Sequence, residues 1–153
     1  MGTKRRKTAR EKLETPHPSH GRPFQLPVNS RMGAGTMIVP RPLDVEAAMR
    51  RVRKGKLTTL TQIRADLAKK AGVDHCCPLT TGIFARLAAE AAEEDAAQGS
   101  KRITPWWRTI RDNGQLMDKF PGGGNIQAAR LRQEGHRIVR GRTGRAFKVV
   151  ARA

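Results

Sequence analysis

The chain has 153 residues, with 31 Lys and Arg against 13 Asp and Glu for a formal net charge of +18, and it is 37% hydrophobic and 4% aromatic with no Tyr. That length fits one domain with extensions, around a small and largely aliphatic core. No window approaches the 18 apolar residues of a membrane span, no apolar stretch follows the basic start as a secretory signal requires, and Arg6 stands where a myristoylation signal needs Ser or Thr. The two cysteines, Cys76 and Cys77, are adjacent and make neither a disulfide framework nor a four-ligand zinc site, so a reducing cytoplasmic or nucleoid setting is expected.

The charge is unevenly spread. Residues 1–42 carry 9 basic and 2 acidic residues, residues 43–100 carry 9 and 8, and residues 101–153 carry 13 and 3. A nearly neutral middle between two basic ends reads as a folded body with cationic surfaces for a polyanion, nucleic acid first. Residues 1–42 combine the cluster Lys4-Arg5-Arg6-Lys7 with six prolines between Pro16 and Pro42. Such a stretch buries too little of its own apolar surface to offset its ordering entropy, so a disordered arm is expected, either a solvated tail or an arm that binds nucleic acid, and removable without unfolding the body.

The body is expected over 43–138. Asp44 reads as an N-cap ahead of Val45, Ala48, Met49 and Val52 at helical spacing. Thr59 with Gln62 suits a capping box for a second helix, facing inward through Ile63 and Leu67 and stopped by Gly72. Thr80 and Thr81 are candidate caps for a third, Ala-rich helix that presents Ile83, Phe84, Leu87, Ala88 and Ala91 on one face and loses its amphipathicity at Glu93-Glu94-Asp95. Two helices joined by a short turn fit a helix-turn-helix. Residues 103–110 read as extended, Asp112-Asn113-Gly114 as a turn, and a last helix runs from an Asn125 cap to Gln133 and Gly135. Residues 139–153 form a basic tail able to pair as a strand or hairpin. The fold class expected is mainly α: a small winged helix-turn-helix-like domain with basic, flexible extensions at both ends.

Three segments carry a resemblance. Gly55-Lys56-Leu57-Thr58-Thr59-Leu60-Thr61-Gln62-Ile63 is similar to the start of the helix-turn-helix of the O6-alkylguanine-DNA alkyltransferases. Ile103-Thr104-Pro105-Trp106-Trp107-Arg108-Thr109-Ile110, with Asp112-Asn113-Gly114 behind it, resembles that family's Pro-Cys-His-Arg active-site segment, and Leu131-Arg132-Gln133-Glu134-Gly135-His136-Arg137 resembles its closing Glu-Gly helix. The resemblance spans about residues 43–138. In the family a Cys accepts the alkyl group and is activated through a His and a Glu. Here Trp106 and Trp107 stand at the Cys and His positions, and Glu134 at the Glu position has no relay left to polarise. An indole N–H only donates, so it is no nucleophile. A Trp at the Cys position marks the alkyltransferase-like proteins, which bind damaged DNA without repairing it, although these usually keep the His. The family's base-rotating Tyr corresponds to Leu60, and its nucleotide-displacing Arg to Pro78.

The resemblance implies a non-catalytic duplex-DNA-binding protein that recognises O6-alkylguanine, with Pro105, Trp106, Trp107, Arg108 and Glu134 as a lesion pocket. An indole is a platform on which an extruded base stacks; the alternative is that both Trp residues anchor the core. Lys54, Lys56, Thr58, Thr59, Thr80, Thr81, Arg108, Arg137, Arg140, Arg142 and Arg145 are the candidate nucleic-acid contacts. Two other classes stay open: a structural RNA-binding protein threading basic extensions into folded RNA, and alkyl transfer to Cys76 or Cys77, whose bland reading is that of small buried hydrophobes. No cofactor, metal or membrane partner is expected, since three consecutive residues, His75 to Cys77, cannot all point at one ion.

Overall fold

The computed structural model describes residues 2–140 and 147–150. Its two central helices are set by their ends. Helix α3 (Leu60–Ala71) starts at Thr59, whose hydroxyl accepts the Gln62 amide at 3.1 Å, and stops at Gly72, which takes the left-handed φ of 70°. The capping box is half made, because the Gln62 side chain turns instead to Asp66. Helix α4 (Pro78–Ala97) begins earlier than its threonines predict. Pro78 supplies the first turn, Cys77 is the flanking residue, and the Thr81 hydroxyl bonds back to the Cys77 carbonyl at 2.6 Å. In the same way α2 (Pro42–Arg50) starts at a proline, and Asp44, expected as its cap, falls in the first turn, where its charge suits the helix dipole.

Helix α4 is the centre of the domain because its buried face is alanine. Ala85, Ala88, Ala89, Ala91 and Ala92 are all fully buried, so neighbouring backbones approach closely. Around it lie Val45 and Met49 of α2, Ile63 and Leu67 of α3, and Trp106 and Phe120. The buried face is rotated from the one expected, which leaves Ile83 53% exposed. A second cluster joins Ile110, Leu116 and Ile138 to Ala128 and Leu131 of α5 (Asn125–Gln133), a helix that follows Gly124 at φ 94° rather than an Asn125 cap.

Residues 1–42 are not the disordered arm that their composition predicts. Helix α1 (Ala9–Glu14) has a complete capping box between Thr8 and Glu11 and buries Ala9 and Leu13 against α4. The Glu94 carboxylate accepts the Ala9 and Arg10 amides at 2.7 and 3.1 Å, and the Arg10 guanidinium pairs with Glu46 and Asp95 at 2.9 and 2.7 Å. The segment needs no core of its own because it shares that of α4. Beyond it, β1 (Pro23–Gln25) pairs antiparallel with β2 (Thr36–Ile38), and β2 runs parallel to β4 (His75–Cys76) inside the connection between α3 and α4.

The remaining strands are short. β3 (Thr58–Thr59) lies parallel to β5 (Thr109–Ile110), with Thr58 beside Thr109 and Thr59 beside Ile110. Residues 103–110 are therefore not extended throughout: Trp106–Arg108 forms a single 3-10 turn before β5. At the C-terminal end β6 (Arg137–Arg140) and β7 (Phe147–Val150) make an antiparallel hairpin. Arg142 and Arg145 lie outside the described residues. Among the described residues no helix is long and apolar enough to cross a membrane.

Candidate nucleic-acid interface

The Trp-Trp-Arg turn is a bonded cluster. Trp106 is completely buried, its indole N–H donates to Glu93 at 2.9 Å, and its ring meets Trp107 and Phe120 edge-on at 6.1 and 6.0 Å. Glu93 also pairs with Arg130, whose guanidinium lies 4.7 Å from the Trp107 ring centre and 5.5 Å from that of Trp106. The Trp107 indole donates to Glu134 at 3.1 Å. Arg108 grips the same carboxylate through two nitrogens at 2.8 Å and sends the third to the Val52 carbonyl at 2.6 Å. Burial by itself would push the Glu134 carboxyl up, but hydrogen bonds from Arg108 and Trp107 and the charge of Arg108 hold it below its usual range.

Two expectations change here. Glu134 is not idle, since it clamps the 3-10 turn and, through Arg108, the end of α2. Trp106 is a core anchor with no exposed face, so it is not the floor of an open pocket.

The cavity lies one layer further out. A space of about 360 Å³ is lined by Leu60 and Thr61 from the first turn of α3, Ile110 and Arg111 from the end of β5, Asp112 and Asn113 from the following turn, and Met117. The β3–β5 pairing creates it by bringing the start of α3 beside the exit of the Trp-Trp-Arg turn. Thr61 closes one side by donating to Asp112 at 2.7 Å, and Arg111 is held by Asp118 at 2.5 Å. Its size is that at which ligand pockets begin, with apolar walls from Leu60, Ile110 and Met117 and a polar rim. None of Pro105, Trp106, Trp107, Arg108 and Glu134 lines it, but Leu60 and Met117 pack in the same core cluster as Trp106. Sequence reading singled out Leu60 and the Asp112-Asn113-Gly114 turn without joining them, because the junction is made by two strands of two residues each.

The expected contacts divide by where their polar atoms point. Lys54 and Lys56 are exposed in the turn leading to β3, and Arg137 and Arg140 are exposed on the hairpin. That hairpin is tied to the cavity's turn by the Val149 amide on the Gly114 carbonyl at 2.9 Å. Thr58 and Thr59 are half-buried, and Thr59 spends its oxygen on the α3 cap. Thr81 is fully buried, and the Thr80 hydroxyl is also buried, so neither presents a donor at the surface. Arg108 is consumed by Glu134 and Val52.

Sequence reading missed the outer face of α4. Leu79 is 72% exposed and Ile83, one turn on, 53%; Gly82 between them comes close enough to Leu60 that an added methyl would sit 3.9 Å from its Cδ1. The first turns of α4 thus adjoin the cavity rim. Meanwhile the acids at the far end of α4 are engaged internally, Glu93 by Arg130 and Trp106, Glu94 by the α1 amides and Asp95 by Arg10. Two of these acids each take up an arginine, and only Glu94 is satisfied by backbone amides alone.

The thiols do not complete a catalytic group. Cys76 is buried, with its sulfur 3.4 Å from the Thr81 hydroxyl, and desolvation pushes its pKa up, away from the thiolate. Neither Cys76 nor Cys77 lines the cavity between Leu60, Ile110 and Met117, although Cys76 borders a smaller cleft with Thr61 and Arg64. Among the described residues no group of three His, Cys, Asp or Glu could hold a metal ion.

No protein-family model and no curated protein sequence matches the chain. Solved structures similar to it include the S. pombe ATL in complex with DNA, at 21% identity and a TM-score of 0.50, covering 71% of this chain and 87% of that one. Another is S. pombe Atl1 in complex with damaged DNA containing O6-carboxymethylguanine, at 20% identity and a TM-score of 0.48 over the same shares. At 21% identity the likeness to the first of these is one of fold.

Proposed function

We propose that the chain is a non-catalytic DNA-binding protein of the alkyltransferase-like type, which binds duplex DNA and recognises O6-alkylguanine. In this reading α3, the β4 connection and α4 act as a helix-turn-helix, and the β6–β7 hairpin is its wing. The observation that carries the reading is the side chain at the position of the family's acceptor thiol: Trp106, buried, with its only polar atom donated to Glu93. An alkyl group needs a soft, ionised nucleophile, and an indole offers none. The likeness of fold to an ATL solved with DNA supports the same reading.

The parts then have distinct tasks. Lys54, Lys56, Arg137 and Arg140, with Arg142 and Arg145, neutralise backbone phosphates, so affinity falls steeply with salt. Leu79 and Ile83 enter the groove at the start of α4, where an apolar side chain can wedge a base step. An extruded base costs a few kcal/mol in lost stacking. The cavity between Leu60, Ile110 and Met117 receives it, with Asp112 and Asn113 at the rim to hydrogen-bond its edge. Such a role goes with a nucleoid location.

The test is an anisotropy titration of one labelled duplex carrying guanine or O6-methylguanine at a single site. A preference of about tenfold, or about 1.4 kcal/mol, supports lesion recognition, and equal affinities reduce the reading to duplex binding alone. Tighter binding of a structured RNA would favour the ribosome-associated alternative. Intact-mass measurement after incubation with alkylated duplex is expected to show no adduct; an added alkyl mass on the peptide holding Cys76 and Cys77 overturns the non-catalytic part.

A further inference from the structure

The β1–β2 hairpin carries a feature that neither the core nor the cavity uses. Its connecting loop, residues 27–33, is firmly built. Leu26 is buried as its anchor and donates its amide to the Gly35 carbonyl at 2.9 Å; Ser30 donates to the Pro27 carbonyl at 2.9 Å, and Gly33 to the Ser30 carbonyl at 3.1 Å. Yet the loop holds Val28 98% exposed, and beside it Arg31 stands exposed with no carboxylate in ion-pair range among the described residues. An ordered loop that displays an apolar tip and an unpaired cation gains nothing for the fold from either.

The loop's position is fixed by the connection that leads into α4. Asp74 accepts the Thr36 amide at 2.9 Å and donates its own amide to the Thr36 carbonyl at 3.1 Å, and the His75 ring donates to the Ala34 carbonyl at 3.2 Å. Gly35, at φ 115°, allows this approach, because a Cβ there would collide with the Asp74 carboxylate. Met32 thereby reaches a cleft of about 180 Å³ shared with Thr61, Arg64 and His75. Thr61 lines this cleft on one side and the larger cavity on the other, so the loop, the start of α3 and the cavity share one side of the molecule. Arg64, which donates to the Thr61 hydroxyl at 3.3 Å, adds a second cation with no carboxylate in ion-pair range among the described residues.

We propose that this loop is a second duplex-contacting element, a counterpart on the α3 side to the β6–β7 hairpin: Arg31 and Arg64 pair with backbone phosphates while Val28 lies against the sugar face of the groove. The inference rests on the duplex-binding reading above. It assigns a role to the N-terminal segment, whose charge then acts from a fixed place rather than as a diffuse tail. The partner is duplex DNA, chosen by charge and by continuity with the α4 surface.

The experiment uses the full chain. Duplex affinity is measured across a salt series for the wild type, Arg31→Ala, the double variant Arg31→Ala with Arg64→Ala, Val28→Ser, and Lys12→Ala as a charge-matched control on the exposed side of α1. Each lost phosphate contact lowers the slope of log affinity against log salt by about 0.9, so the double variant is expected to lose about 2 and the Lys12 control nothing. In a hydroxyl-radical footprint the double variant and Val28→Ser should lose protection on one flank with the centre retained. Thermal melts monitor folding, and Val28→Ser serves if an arginine variant melts low. Unchanged slopes and footprint, or an equal loss from Lys12→Ala, overturn the inference while leaving the duplex reading intact; a wild-type chain without duplex affinity removes both.

Discussion

Trp107 and Glu134 are joined by an indole N–H donated to a carboxylate at 3.1 Å, and Arg108 closes on the same carboxylate from the next position in the chain. The two residues sit where the resemblance puts the His and Glu of a proton relay. What the geometry makes of them is a clamp between the 3-10 turn and the end of α5. Glu134→Gln keeps the shape but removes the charge that Arg108 needs, and with side chains 7% and 14% exposed the pair is poorly screened. A loss of about 2–4 kcal/mol in urea unfolding is expected.

The same clamp sets a pH dependence. Glu134 is held below the ordinary carboxylate range, so its contribution is complete above about pH 4.3, the unfolded value, and is lost as pH falls through the lower folded value. Thermal stability of the wild type should therefore drop in acid, and Glu134→Gln should drop by less from its lower starting point. Parallel acid profiles for the two proteins would remove Glu134 from the account.

Trp106→Ala is expected to act on folding first. The side chain is fully buried beside Phe120 and Met117, and its loss opens a cavity worth about 3–5 kcal/mol. A variant with an unchanged unfolding midpoint and altered lesion preference would restore the open-pocket role that burial argues against.

Leu79 behaves in the opposite way. At 72% exposure its truncation should leave stability within about 0.5 kcal/mol. If α4 enters the groove as proposed, Leu79→Asp sets a negative charge against the duplex, and a loss of at least about tenfold in affinity is expected, or about 1.4 kcal/mol. Equal binding by wild type and variant would take α4 out of the groove.

Arg10→Ala tests the docking of the first helix. It strips Glu46, which is buried, of its nearest cation and breaks the link to Asp95, at a cost of about 1–3 kcal/mol. Deleting residues 1–42 removes α1 and two strands and should lower the melting temperature well below that of Arg10→Ala. A truncated chain that melts like the full one would return the segment to a detachable arm.

Features that depend on neighbours along the chain are legible in the sequence. Thr59 and Gly72 bound α3 because a cap needs only the adjacent turn; the Asp112-Asn113-Gly114 turn is local, and so is the Pro105-Trp106-Trp107-Arg108 run that carries the resemblance. The charge balance alone points to a polyanion. Features that rest on partners distant in sequence emerge only on folding. Helix α1 is ordered because Glu94, 85 residues from Ala9, accepts its free amides, an acceptor that composition cannot reveal. The cavity exists because β3 meets β5 across some fifty residues, which placed Leu60 opposite Met117 and left Trp106 behind them in the core. A residue's chemistry is written in its side chain, but whether that side chain faces solvent, a carboxylate or a wall of alanine is set by chain segments that meet only on folding.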